Sequence, residues 1–263
     1  MPATLLDAIL ALSRQRAEVL RPRRDALEAA CATAAPVPDF AKALRMGSVA
    51  VIAEVKRRSP SLGPIDESLD PVRLAGEYAR GGAAAISVLT EPGHFGGSLD
   101  DLTSVARTVA LPVLRKDFVV DELQLLEARA AGAAAVLLIV RALGPAELAR
   151  LHAAARYIGL GVLVEAHTAD EVRVALDAGA YVLGVNARDL DTLAIDCAAA
   201  WALLNTIPPD VIAVAESGME SRGDVTAAAG AGADAVLIGS ALVAGGTAES
   251  SVRNLATVPR HGR

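Results

Sequence analysis

The chain has 263 residues, 53% hydrophobic but only 3% aromatic, with 25 basic against 31 acidic side chains and a formal charge of -6. That apolar content excludes intrinsic disorder and predicts an aliphatic, alanine-filled core, while the net acidity disfavours nucleic acid as a partner. Two cysteines, Cys31 and Cys197, cannot make a disulfide scaffold, and no stretch reads as a secretory signal or a bilayer span, so a cytoplasmic protein without membrane attachment is expected.

Residues 1–45 read as two helical segments, Leu5–Arg21 and Arg23–Ala32, closed by a Pro36-Val37-Pro38 break. Forty-odd residues would struggle to hold a core alone, so they are expected to form a helical extension packed on a catalytic unit spanning 46–263. The Arg21-Pro22-Arg23-Arg24 cluster reads as a solvated turn.

From Val49 onward one pattern recurs. Apolar runs begin at Val49 (VAVIAEVK), Ala84 (AAISVLT), Pro112 (PVLRKD) and Ala135 (AVLLIV), then at Val162 (VLVEA), Tyr181 (YVLGVNA), Val211 (VIAVAES) and Ala235 (AVLIGS). Runs without polar alternation predict strands buried on both faces of a parallel sheet. Amphipathic stretches such as Asp70–Arg80, Leu99–Ala110, Asp121–Ala131, Pro145–Ile158 and Ala169–Ala178 predict the intervening helices. Gly82, Gly132, Gly179 and Gly232 punctuate the helix-to-strand passages, where a left-handed residue stops a helix. Eight βα units at a spacing of roughly 27 residues predict an α/β fold, a closed (β/α)8 TIM barrel. An open dinucleotide-binding sheet would want a glycine-rich turn after the first strand, where this chain has Lys56-Arg57-Arg58-Ser59-Pro60.

A barrel of this kind carries its chemistry at the C-terminal ends of the strands. There the first run holds Glu54 and Lys56, the third Lys116, the fifth Glu165, the sixth Asn186 and Arg188, and the seventh Glu216. Charges ending otherwise apolar runs are expected to converge in one network, because an unpaired buried charge is costly. Ser217-Gly218 and Gly239-Ser240 follow the seventh and eighth runs, the usual phosphate position of the fold, with a short helix expected near Ser240. Phe95 and Phe118, two of three phenylalanines, fall just past strand ends and suggest a flat aromatic part of the substrate. The histidines lack metal-ligand spacing, so no metal is expected; His152 reads as a surface residue and His167 as a cap or rim residue.

These residues resemble the indole-3-glycerol phosphate synthase family of tryptophan biosynthesis. The segments that carry the resemblance are IAEVKRRSPS from Ile52, SVLTEPGHFGGSLDDL from Ser87, PVLRKDFVV from Pro112 and LVEAHT from Leu163, followed by GVNARDL, VAESGM and VLIGSAL. The resemblance implies a cofactor-free carboxy-lyase that closes the indole ring of 1-(2-carboxyphenylamino)-1-deoxyribulose 5-phosphate with loss of CO2 and water. It implies Lys116 as general acid, Glu165 as general base or acid of the dehydration, and Glu54, Glu216 and Asn186 as orienting groups. Lys56, Ser59, Arg188, Ser217, Gly218, Gly239 and Ser240 would bind substrate and phosphate, and Phe95 and Phe118 would wall the aromatic ring. Ala187 stands where the family often has a second asparagine. Two other readings fit the residues themselves: a Schiff-base aldolase with Lys116 as nucleophile, and a phosphate-ligand-binding barrel without chemistry. A monomer is expected.

Overall fold

The computed structural model describes residues 4–61, 63–243 and 247–262. Among them, eight parallel strands close into a barrel: β1 (Ala50–Val55), β2 (Ala85–Leu89), β3 (Val113–Lys116), β4 (Ala135–Ile139), β5 (Gly161–Ala166), β6 (Val182–Asn186), β7 (Ile212–Glu216) and β8 (Ala235–Ile238). Each strand pairs with its neighbours in sequence, and β8 closes on β1 with Ala50 opposite Ala235. All eight apolar runs are therefore strands, in the (β/α)8 arrangement.

The helices are α1 (Leu5–Leu20), α2 (Arg24–Ala32), α3 (Phe40–Ala43), α4 (Pro71–Gly81), α5 (Pro92–Phe95), α6 (Leu99–Thr108) and α7 (Glu122–Ala130). They continue as α8 (Val140–Leu143), α9 (Pro145–Tyr157), α10 (Ala169–Asp177), α11 (Cys197–Leu204), α12 (Arg222–Gly230), α13 (Ser240–Val243) and α14 (Ala248–Leu255). Side-chain caps start most of the long ones: Asp70, Ser98, Asp121, Thr168 and Ser221 accept backbone N–H groups of the first turn. The four punctuating glycines lie at φ between 85° and 98°, where any side chain would be strained.

The period of two along each strand sorts the core into two layers. Val51, Ala53, Ile86, Val136, Leu138, Val164 and Leu183 face outward and pack under the helices. Ala50, Ile52, Leu114, Leu137, Leu163, Val182, Val214 and Leu237 fill the interior.

The segment before β1 serves both ends of that interior. Leu6, Ile9 and Leu10 of α1, an i, i+3, i+4 stripe, join the interior cluster beside Phe118, past the C-terminal end of β3. Phe40 and Leu44 join it from the N-terminal side, where Phe40 lies against Gly161, the first residue of β5. Between them α2 packs on α7. The arginine cluster forms an exposed 3-10 turn, as expected, with Arg21 paired to Glu18 and Asp121. His152 departs from expectation. It is buried in α9, with its ring against Gly179 of the next unit, because α9 presents it to the α10–β6 turn. Burial, with Arg156 nearby, lowers its pKa and keeps the ring neutral. None of the described helices is long and apolar enough to cross a membrane.

Candidate active site

Strand parity places the polar residues. Glu54, Lys116, Glu165, Asn186, Glu216 and Gly239 each sit two positions beyond an interior residue: Ile52, Leu114, Leu163, Gly184, Val214 and Leu237. All six therefore point to the barrel axis at its C-terminal mouth, where they line a cavity of about 440 Å³, a ligand-sized volume. The other residues expected there from the sequence, Lys56, Ser59, Phe95, Phe118, Arg188, Ser217, Gly218 and Ser240, line the same cavity.

Lys116 is the centre of the charged group. Its Nζ lies 3.4 Å from Glu165 Oε2 and 3.5 Å from Glu216 Oε2. Burial would lower the ammonium pKa, but Glu165, Glu216 and Glu54 outweigh it and raise the pKa. The two glutamates are driven apart. Burial and the neighbouring Glu165 push Glu216 up to about 8 against the pull of Lys116. Burial would also raise Glu165, yet Lys116, His167 and the Asn186 side chain hold it below the usual carboxylate range. The same ammonium thus faces two carboxyl groups whose pKa values are pushed in opposite directions.

Asn186 is oriented unambiguously. Its Oδ1 accepts from Ser217 Oγ at 2.8 Å and from the Arg188 backbone N–H at 3.0 Å, which leaves its amide NH2 for Glu165. Glu216 reaches the group only because β6 has no side chain at Gly184: a Cβ there would lie 2.0 Å from Glu216 Oε1.

On the opposite rim Lys56 Nζ is 2.7 Å from Glu54 Oε1, and both abut Gly239. The short helix α13 begins at Ser240, as expected. Ser217 and Gly218 are consecutive left-handed residues with φ of 66° and 73°. At the non-glycine Ser217 this costs on the order of 1 kcal/mol, strain of the kind kept at functional sites. Cys197 packs beneath, its Sγ 3.6 Å from the Gly218 carbonyl. Half-buried Arg188 donates to the Leu193 carbonyl at 3.0 Å and has no carboxylate within 4 Å among the described residues. The apolar wall is Phe95 against Phe118, ring centroids 6.1 Å apart, with Leu5, Leu6 and Ile9 of α1.

Several residues that build the site escaped the sequence reading. Arg115 and Asp117 flank Lys116 and, by parity, point out of the barrel into a buried network. Asp117 accepts from Arg16 of α1 at 2.8 Å, Thr90 Oγ1 at 2.7 Å, Arg115 at 3.2 Å and the Phe118 N–H at 2.8 Å. Burial would raise its pKa, but Arg115 and Arg16 hold it low. Ser13 of α1 donates to the Phe118 carbonyl at 2.5 Å. Glu91, buried, accepts three N–H groups of α5 and so fixes the turn that carries Phe95. The sequence signal was the amphipathic stripe of α1; nothing in it marked Asp117 as buried.

The model of the family described as indole-3-glycerol phosphate synthase matches residues 6–255. A protein of that description from Mycobacterium avium (strain 104) is 48% identical over 266 residues, covering 99% of this chain and 96% of the relative. One from Micrococcus luteus is 50% identical, covering 90% and 92%, and one from Mycobacteroides abscessus is 52% identical, covering 88% and 86%. A solved structure of thiamine phosphate pyrophosphorylase from Pyrococcus furiosus superposes with a TM-score of 0.60 at 15% identity over 81% of this chain and 95% of that one, a likeness of fold alone. A match over nearly the whole chain, at about half identity to relatives of the same length, places it: the chain belongs to the indole-3-glycerol phosphate synthase family.

Proposed function

We propose that the chain converts 1-(2-carboxyphenylamino)-1-deoxyribulose 5-phosphate to indole-3-glycerol phosphate, with Lys116 as the acid of ring closure and Glu165 as the base of dehydration. The observation that carries this reading is one ammonium within 3.5 Å of two buried glutamate carboxyl groups, beside an aromatic wall. The ring carbon bearing the carboxylate attacks the ketone carbon, and Lys116 gives a proton to the ketone oxygen as it gains charge. CO2 leaves and restores the aromatic ring. The new hydroxyl then departs as water while the neighbouring CH2 carbon gives up a proton to Glu165, which forms the second double bond. Both protons of that water pass through Lys116, which gives the first to the ketone oxygen and, recharged from solvent, the second to the leaving hydroxyl; the proton taken up by Glu165 then returns to Lys116 and restores both side chains.

Phe95, Phe118 and the α1 leucines would hold the anthranilate ring over the ketone, a proximity effect that needs no cofactor. Lys56, Ser59, Ser217, Gly218, Gly239 and Ser240 suit the phosphate, and Arg188, lacking a carboxylate partner, suits a substrate anion. Glu54 would set Lys56, and Asn186 would set Glu165. The carboxylates that keep Lys116 charged oppose an aldolase, whose lysine must be neutral to attack a carbonyl. Residues 1–45 act in this reading as an extension of the 46–263 barrel, although residues 1–3 and 263 at the outer bounds of these units lie outside the described residues. The same reading makes the protein a cytoplasmic monomer, supported by large exposed apolar side chains that are spread over separate elements, such as Met46, Tyr157 and Val243.

The experiment is to mix the protein with the carboxyphenylamino-deoxyribulose phosphate and follow indole fluorescence. A rise that is unchanged by chelator is expected. No rise, with folded protein and verified substrate, would overturn the assignment.

A further inference from the structure

Glu165 has a second neighbour on the side away from Lys116. His167 follows it by two residues past the end of β5, and its ring is buried there with 8% of the side chain exposed. His167 Nε2 lies 3.6 Å from Glu165 Oε1, and His167 Nδ1 lies 3.4 Å from Glu171 Oε2. Glu171 is in the first turn of α10, and the same Oε2 accepts the His167 backbone N–H at 2.7 Å, so the brace is itself held. Lys116, Glu165, His167 and Glu171 thus form a row that runs from the barrel axis toward the rim, with the imidazole between two carboxyl groups.

Other charges that face the row come from further elements. Arg141 of α8 opposes a cation at His167 and favours the Glu171 carboxylate. Its guanidinium is itself paired to Asp189, at 3.2 Å, and to Asp191 in the loop after β6. Within the row, Lys116, the Asn186 amide and the Glu216 carboxyl of β7 face Glu165 and not His167. Burial alone would keep His167 neutral; Glu171 and Glu165 together outweigh it and favour the imidazolium. Both ring nitrogens and Glu165 Oε1 are buried without a hydrogen bond among the described residues, and the polar atoms that face the ring are Glu165 Oε1 on one side and Glu171 Oε2 on the other.

We propose that His167, braced by Glu171, is a positioning residue that holds Glu165 ionised and turned so that Oε2 faces Lys116. The proposal rests on the reading of Glu165 as the base. A base buried at the bottom of a substrate-filled mouth must be anionic before the substrate arrives, and Lys116, which lies against Oε2 only, gives up its charge when it protonates the ketone oxygen. A cation on the far oxygen supplies the remainder without touching the substrate.

The test uses the full chain with 15N-labelled histidine. It has four histidines, and His167→Asn assigns the resonance. The His167 imidazole is expected to titrate above its ordinary 6.5 in the unaltered chain, and at or below that value in Glu171→Gln and Glu165→Gln. In turnover, His167→Asn keeps a hydrogen-bond donor but no charge. It is expected to move the acid limb of kcat up by about one pH unit and lower kcat about tenfold at pH 7, with KM within about twofold. Glu171→Gln is expected to move the limb the same way by less, and replaces His167→Asn should that variant fail to fold. An imidazole that titrates at or below 6.5 in the unaltered chain, or an acid limb that stays in place when His167 is replaced, overturns the proposal. Full activity in Glu165→Gln would instead overturn the base role, with the resonance still reporting whether His167 and Glu165 are coupled.

Discussion

Glu216 and Glu165 are chemically identical side chains whose pKa values are pushed in opposite directions, and the difference lies in what surrounds each. Because Glu216 titrates near 8, glutamine imitates its neutral form. Glu216→Gln is expected to keep activity within about tenfold at pH 7 and to lose any activity change centred near pH 8, as read from the pH profile of kcat. Lys116→Ala should lower kcat by about 10² to 10⁴ while a substrate analogue still binds in calorimetry. Equal activity in that variant would remove Lys116 from the chemistry. Gly184→Ala would force Glu216 aside and is expected to lower kcat more than Glu216→Gln does. The site was legible in sequence because an apolar run ending in charge fixes parity: knowing that Leu114 and Leu163 face inward tells where Lys116 and Glu165 point. Gly184 was not legible, since an absent side chain has no signal until its neighbour's path is known.

At the scale of elements, β3 carries the acid on one face and its scaffold on the other. Lys116 points in, while Arg115 and Asp117 point out to Thr90, Gln124, Glu127 and Arg16. Removing Asp117 takes one of two carboxylates from buried Arg115, which keeps Glu127, and leaves Thr90 Oγ1 and the Phe118 N–H without that acceptor. Asp117→Ala is therefore expected to cost about 3–5 kcal/mol, seen as a melting temperature lower by on the order of 10 °C. Arg16 is partly exposed and loses one bond, so Arg16→Ala should cost only about 1 kcal/mol. Strand and helix positions were readable from apolar period and caps. The Asp117 network was not, because a Lys-Asp pair at a strand end reads the same whether solvent or protein receives the aspartate. His152 misled for the same reason: on a helix with a weak polar–apolar contrast, a lone histidine gives no sign of the neighbouring unit that covers it.

For the whole molecule, the site works against the fold. A carboxyl whose folded pKa of about 8 exceeds its ordinary 4.5 binds its proton more tightly when folded. Its contribution to stability is complete below pH 4.5 and is lost as pH rises toward 8. Glu216→Gln removes that loss. Its melting temperature is expected to exceed that of the unaltered chain by about 2–4 °C at pH 8, with the gap closing near pH 4.5. A gap that widened at low pH would contradict the neutral assignment. The segment before β1 has a further consequence. Leu6, Ile9 and Phe40 find their places only on the interior of a finished ring, yet the ribosome delivers them before any strand exists. The stopper and the floor of the vessel are made first and must wait, greasy and unhoused, until β8 arrives to meet β1. A nascent chain stalled short of Ala235 should therefore recruit chaperones through its first forty-odd residues, and release them in a single step once the last strand emerges.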